Sequence, residues 1–235
     1  MASVEWRVCG LCWARARAQR HPRCDRCGIA LYDSGISIQE KGIERPTSGC
    51  IECADWLPYL RVARAPYTMS GTAAAMVHAL KYGGWADLAD EMGARMAEVH
   101  FAPAVEAEIG ALVPVPLSPA RLRERGFNQA ELLGRAVARR RGWPLIPGVL
   151  VRGRHTRRQA RLAPRARADN VAGAFGVLLA NRAQIEDAHL LLVDDVLTTA
   201  ATAQACVRAL CGAGARAVSV LTFARARREL PRKCL

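Results

Sequence analysis

The chain has 235 residues, 51% of them hydrophobic and 23% charged, which suits one sizeable globular domain plus a small one. No run reaches the roughly 20 apolar residues a membrane span needs, and Met1 to Gly10 lacks the basic and apolar regions of a signal peptide, so a cytoplasmic protein without a membrane span is expected. The net charge is +13, but only Lys41, Lys81 and Lys233 of the 34 basic residues are lysines. An arginine- and alanine-rich chain fits a polyanion partner and a GC-rich coding bias equally well.

Six of the nine cysteines form three Cys-x-x-Cys pairs within the first 53 residues, a pattern of metal ligands rather than of a disulfide scaffold. Cys24, Cys27, Cys50 and Cys53 supply two pairs with 22 residues between them, and Gly28 suits the tight knuckle that wraps a thiolate pair around a metal. Tetrahedral, structural zinc is the expected occupant, with no coordination position left for chemistry. Cys9 and Cys12 are left over. Spacing alone also permits a site from Cys9, Cys12, Cys24 and Cys27, with 11 residues between pairs, or a free pair of thiols. Residues 1–60 show little apolar periodicity and are read as a small zinc-ribbon unit, in which Trp6, Trp13 and Trp56 either stack on bases or fill a small core. Cys206, Cys211 and Cys234 lack metal spacing, Cys234 lying in a basic tail.

Leu60 to Pro66 reads as a linker or edge strand into a larger unit at 66–235. Ser70 opens a helix with Met76, Val77 and Leu80 on its apolar face, stopped by Gly83 and Gly84. Lys81, beside that stop, either reaches an anion or complements the helix dipole. A second helix spans about Ala86 to Val99, and Ala111 to Pro116 is a short strand. Arg121, Arg123 and Arg125 crowd its exit, placed either for bidentate bonds to pyrophosphate oxygens or on a surface helix. Asn128 and Gln129 lead into a helix to about Arg141, and Pro144 to Val151 reads as another strand. From Arg152 to Phe175 runs a long basic segment, in which Arg154, Arg157, Arg158 and Arg161 form either a lid over a polyanion or a solvated charge run.

The richest stretch is His189 to Thr202, HLLLVDDVLTTAAT. Leu190 to Val193 has the character of a strand buried on both faces of a parallel sheet, which brings Asp194 and Asp195 to its carboxyl end, where open α/β sheets bind ligands. Thr198, Thr199, Ala200, Ala201 and Thr202 then place backbone N–H groups and hydroxyls at the start of a helix to Leu210. Carboxylates for hydroxyl groups and an N–H cradle for an anion together match a phosphorylated ribose. The alternative is a strand end followed by a helix capped by Thr199. Gly212 and Gly214 stop the helix, a last strand follows near Ala217 to Phe223, and the tail is basic.

This stretch resembles the phosphoribosyltransferase signature, which implies that Asp194 and Asp195 contact the ribose of phosphoribosyl pyrophosphate and that Thr198 to Thr202 holds its 5′-phosphate. Ala200 stands where that signature usually has Gly. Taken with CDRCG and CIEC, LKYGG, VPVP before RERGFNQ, and TRRQARL with DNVAGAF, the order of motifs resembles the ComF family over almost the whole chain. The resemblance implies an α/β, type I phosphoribosyltransferase-like parallel sheet flanked by helices, with a small N-terminal zinc ribbon. It implies phosphoribosyl pyrophosphate with magnesium as ligand, bound by Lys81, Arg125, Asp194, Asp195 and Thr198 to Thr202, with the two aspartates as catalytic candidates. By the same resemblance Cys9 and Cys12 are the remnant of a first ribbon, and Cys24, Cys27, Cys50 and Cys53 hold structural zinc. A role in DNA uptake during natural transformation follows, with single-stranded DNA and DNA-uptake proteins as candidate partners. The contrasting reading is a non-catalytic module that uses the same fold to bind single-stranded DNA or a partner protein.

Overall fold

In a computed structural model the structure describes residues 8–31, 50–153 and 174–227. The basic segment with Arg154, Arg157, Arg158 and Arg161, most of the stretch between Cys27 and Cys50, Trp6 and Cys234 lie outside the described residues.

The centre is a parallel sheet of β1 (Leu60–Arg64), β2 (Tyr67–Thr68), β3 (Ile109–Pro114), β6 (His189–Leu197) and β7 (Ala217–Arg225), in the order β1, β7, β6, β3, with β2 following β1 along the same edge of β7. Pro66 separates β1 from β2; lacking an N–H, proline suits a break in an edge strand. On the opposite edge Leu145 alone forms a parallel bridge to Leu112. The strand expected over Pro144 to Val151 is thus divided between this bridge and β4 (Leu150–Arg152), because Pro147 and Gly148 interrupt it; β4 pairs antiparallel with β5 (Phe175–Val177).

Side chains alternate between the faces of each strand, so β6 feeds two cores. Leu190 and Leu192 pack with Val113, Val218 and Val220 beneath α7 (Ala201–Gly212) and the cysteine segment. Leu191 and Val193 face the other way, with Leu112, Leu221 and Phe223, onto α2 (Gly71–Tyr82), α3 (Leu88–Ala97) and α6 (Gln129–Arg141). The apolar face read for the first helix is as expected: Ala73, Met76, Val77 and Leu80 are buried. The short helices α4 (Pro103–Glu108), with Pro at its start, and α5 (Pro119–Arg125) complete this layer. This is the expected α/β architecture, a parallel sheet flanked by helices. Among the described residues no helix is long and apolar enough to cross a membrane.

Of the N-terminal cysteine pair, Cys9 is the N-cap of α1 (Gly10–Arg15) and Cys12 lies within it, and α1 packs against α2 rather than beside the other cysteines. Trp13 packs on Tyr67 and Phe223, at centroid distances of 6.0 and 6.1 Å, and donates its indole N–H to Glu91. Trp56 is 4% exposed. Trp56 thus fills core, while Trp13 packs partly buried against it, with Arg95 5.3 Å from its ring centroid.

Candidate functional site: the carboxyl edge of the sheet and a four-cysteine cluster

The sequence brings Asp194 and Asp195 to the carboxyl end of the strand, and β6 runs two residues further, to Leu197, so that both lie inside it. Alternation therefore sends the two carboxylates to opposite faces. Asp194 lines a cleft with Thr198, Ala200, Thr202, Val115 and Thr222, formed where β3, β6 and β7 end. Its carboxyl pKa is raised well above the usual carboxylate range by burial and by the adjacent Asp195 carboxylate. Asp195, 3% exposed, points towards the helical layer, where it forms an ion pair with Lys81 and accepts a 3.3 Å hydrogen bond from Gln129 Nε2.

Behind that pair stands a chain of polar contacts. Arg125 donates to Gln129 Oε1 at 2.8 Å and lies over the Tyr82 ring at 5.0 Å, while Asn128 caps α6 through Ala130 N and ties it to Val115 O at the exit of β3. Lys81, Arg125, Gln129 and Asp195 are thereby brought together, as the basic LKYGG and RERGFNQ segments suggest. Arg123 is exposed and stays apart. Long-range contacts of this kind have no signature in sequence spacing, apart from the capping asparagine just before a buried glutamine.

The loop after β6 differs from expectation at its cap. Ala200, not Thr199, is the N-cap of α7; it offers no side-chain acceptor and adopts φ +62°, the left-handed region. Thr198 and Thr199 are exposed, Ala201 and Thr202 open the first turn, and Ala200 is 2% exposed. The first N–H groups of such a helix have no intrahelical acceptors and face outward from its end. Sequence reading stops the last strand at Phe223 and so misses Arg225. That buried guanidinium, 2% exposed, donates from Nη1 to the carbonyl oxygens of Leu197 and Thr198 at the root of the loop.

The second site is the cluster of Cys24, Cys27, Cys50 and Cys53, whose sulfurs all lie within 4.8 Å of one another. Neighbouring Sγ atoms are 3.5, 3.8 and 3.9 Å apart. A tetrahedron with zinc–sulfur bonds of about 2.3 Å has edges of about 3.8 Å, so the donor set and its size fit a zinc ion. Packed this closely, the four thiols share hydrogen bonds that lower the pKa of Cys24 and Cys50 and raise that of Cys27 and Cys53. Gly28 turns at φ +70°, with Ala63 O only 2.7 Å from where a Cβ would stand, so the knuckle closes directly on β1. Cys9 and Cys12 take no part, which removes the alternative partition.

Fold and sites thus define an α/β protein with a cleft at the carboxyl edge of a parallel sheet and, against it, a four-cysteine knuckle that fits a metal ion. The chain is 28% identical to the DNA utilization protein YhgH of Salmonella typhimurium, over 96% of this chain and 93% of that protein. It is also 34% identical to competence protein F of Haemophilus influenzae over 49% of this chain and 50% of that protein, and 28% identical to competence protein ComFC of Bacillus subtilis over 74% and 70%. No family model matches the chain. The resemblance to the ComF family carried by the motifs is borne out by these homologues.

Proposed function

We propose that this protein binds phosphoribosyl pyrophosphate at the carboxyl edge of the sheet and serves DNA uptake, the role the names of its competence and DNA-utilization relatives suggest. The observation that carries the ligand is the meeting in one cleft of Asp194 with the Thr198–Thr202 loop; Lys81 and Arg125 gather with Asp195 on the other face of β6. Asp194 and Asp195 are the candidates for the ribose hydroxyls. Thr198, Thr199, Ala200, Ala201 and Thr202 surround the 5′-phosphate with N–H and hydroxyl donors. Lys81 and Arg125 face the pyrophosphate. Asp194 would be the carboxylate nearest a magnesium ion bound with the pyrophosphate, which would supply positive charge to oppose the shift that burial imposes on it. Transfer would break the bond from ribose C1′ to pyrophosphate as a bond forms between that carbon and the acceptor, whose proton passes to solvent, with Lys81 and Arg125 stabilising the charge on the departing pyrophosphate. Residues 1–60 form the ribbon unit, holding structural zinc, and 66–235 the ligand-binding unit.

A second reading, single-stranded DNA binding, is favoured by Tyr82, 57% exposed and set beside Arg121 and Arg125, with Trp85, 38% exposed, three residues on. Calorimetry with phosphoribosyl pyrophosphate and magnesium separates the readings. Wild-type protein should give binding heat that Asp194→Asn/Asp195→Asn loses by at least about tenfold in affinity, roughly 1.4 kcal/mol, with a melting curve confirming that the variant is folded. A wild type that gives no heat, yet binds an oligonucleotide with affinity falling steeply in salt, overturns the first reading in favour of the second.

A further inference from the structure

The mouth of the ligand cleft is held by a buried arginine, and that arginine leads back to the cysteines. Arg225 closes β7, and its Nη1 donates to Leu197 O at 3.1 Å, to Thr198 O and to Ala226 O at 2.9 Å. Ala226 N in turn donates to Leu197 O at 2.9 Å. The segment entering the Thr198–Thr202 loop is therefore clamped through its carbonyl groups. Nη2 of the same guanidinium lies 3.9 Å from Glu52 Oε2, and the Glu52 side chain is itself 9% exposed. A cation this enclosed requires a countercharge, and among the described residues Glu52 is the carboxylate that pairs with it. Glu52 stands between Cys50 and Cys53.

A second thread runs parallel to the first. Leu57 N donates to Gln204 Oε1, on the first turn of α7, at 3.2 Å. Leu57 O accepts from Arg26 Nη2 at 2.8 Å, and Arg26 also donates to Cys53 O, Trp56 O and Leu60 O. Both ends of the loop are thus tied to the Cys50–Cys53 knuckle. A left-handed alanine persists only where its surroundings over-determine it, and Ala200 lies between these two ties.

We infer that Arg225 is a positioning residue for the Thr198–Thr202 loop, and that Glu52 transmits metal occupancy of the four cysteines to that loop. Resting on the reading that the loop takes the 5′-phosphate, this makes zinc and phosphoribosyl pyrophosphate reciprocal effectors: each stabilises the conformation that binds the other.

Hydrogen exchange of residues 197–203 in ligand-free protein tests the tie without assuming the ligand. Glu52→Gln keeps the side chain's size and all four thiolates, so it should still hold one zinc per chain by elemental analysis. Its loop amides should nevertheless exchange about tenfold faster while those of α3 and α6 stay unchanged. Arg225→Met should do the same. Chelation should accelerate the loop in wild type and add little in Glu52→Gln, where the link is already cut. Zinc-loaded Glu52→Gln should bind phosphoribosyl pyrophosphate about fivefold more weakly or worse. Wild-type exchange rates at 197–203 in zinc-loaded Glu52→Gln overturn the inference even if Arg225→Met fails to fold. Accelerated exchange, in a protein whose wild type gives no heat with phosphoribosyl pyrophosphate, supports Arg225 and Glu52 as clamp and overturns the ligand assignment instead.

Discussion

Ala200 concentrates the local cost of the loop. Its φ of +62° sets Cβ against the following carbonyl, which for a residue other than glycine costs about 1 kcal/mol. No side chain offsets this by capping α7. Ala200→Gly removes that cost but gives the unfolded chain about 0.4–1 kcal/mol of extra freedom, so the net stabilisation should be no more than about 0.5 kcal/mol. In a chain of this size that raises Tm by no more than about 2 °C. Because Ala200 lines the cleft, the same change also brings backbone closer to any phosphate there, and ligand affinity should rise. Thermal melts and calorimetry on one variant check both, and a lowered Tm would show that the clamp around the loop, rather than its intrinsic preference, fixes the backbone.

Between elements, the closest approach is the crossing of α3 and α6. A Cβ on Gly93 would lie 2.4 Å from Ala136 Cβ and 3.1 Å from Leu133 O. Arg140 pairs with Asp90 at 2.8 Å beside the same crossing, but on the exposed side, where such pairs contribute little. Gly93→Ala gains about 1 kcal/mol of helix propensity, and forcing the helices apart costs about 1–3 kcal/mol. Denaturant melts should thus show net destabilisation of up to about 2 kcal/mol, and an unchanged midpoint would mean the crossing relaxes freely. Gly93 also marks what sequence conveys and what it withholds. Periodicity places α2, α3 and α6 because their buried residues repeat along one chain. It places β6 because four apolar residues lead into Asp194. It does not reveal that β6 runs two residues past the carboxylates, to Leu197, because that extension rests on Val196 and Leu197 pairing with Ala224 and Arg225 of β7. Nor does it reveal β2, α4 or Arg225, whose placement depends on β7, on a proline start and on carbonyls 27 and 28 residues away. The four-cysteine cluster was the most legible site, because ligand chemistry fixes spacing locally within each pair.

Across the whole molecule the sheet separates two electrostatic ends. The carboxyl edge gathers Lys81, Arg125 and Arg225 around two carboxylates, whereas the amino edge holds a buried histidine. His189, 1% exposed, starts β6; its Nε2 lies 2.9 Å from Ser219 Oγ and its Nδ1 3.5 Å from Glu108 Oε2, and Glu108 also pairs with Arg61 and Arg216. Burial, and then the Arg61 charge, lower the His189 pKa despite Glu108. The folded state thus resists a proton that the unfolded chain accepts below about pH 6.5. Stability from this group is complete above that pH and is lost as pH falls towards the lower folded pKa, at no more than about 1.4 kcal/mol per pH unit for one proton. Asp194 acts in the opposite sense, because its raised pKa makes the folded state the stronger proton binder above the unfolded carboxyl value near pH 3.8, so it destabilises as pH rises. The two are separable by substitution. Between pH 7.5 and 5 the Tm of wild type should fall more than that of His189→Gln, which keeps a polar group near Ser219 but cannot take up the proton. Parallel Tm profiles for the two proteins would show that the fold leaves the His189 pKa at its unfolded value, and a steeper fall in His189→Gln that Glu108 raises it.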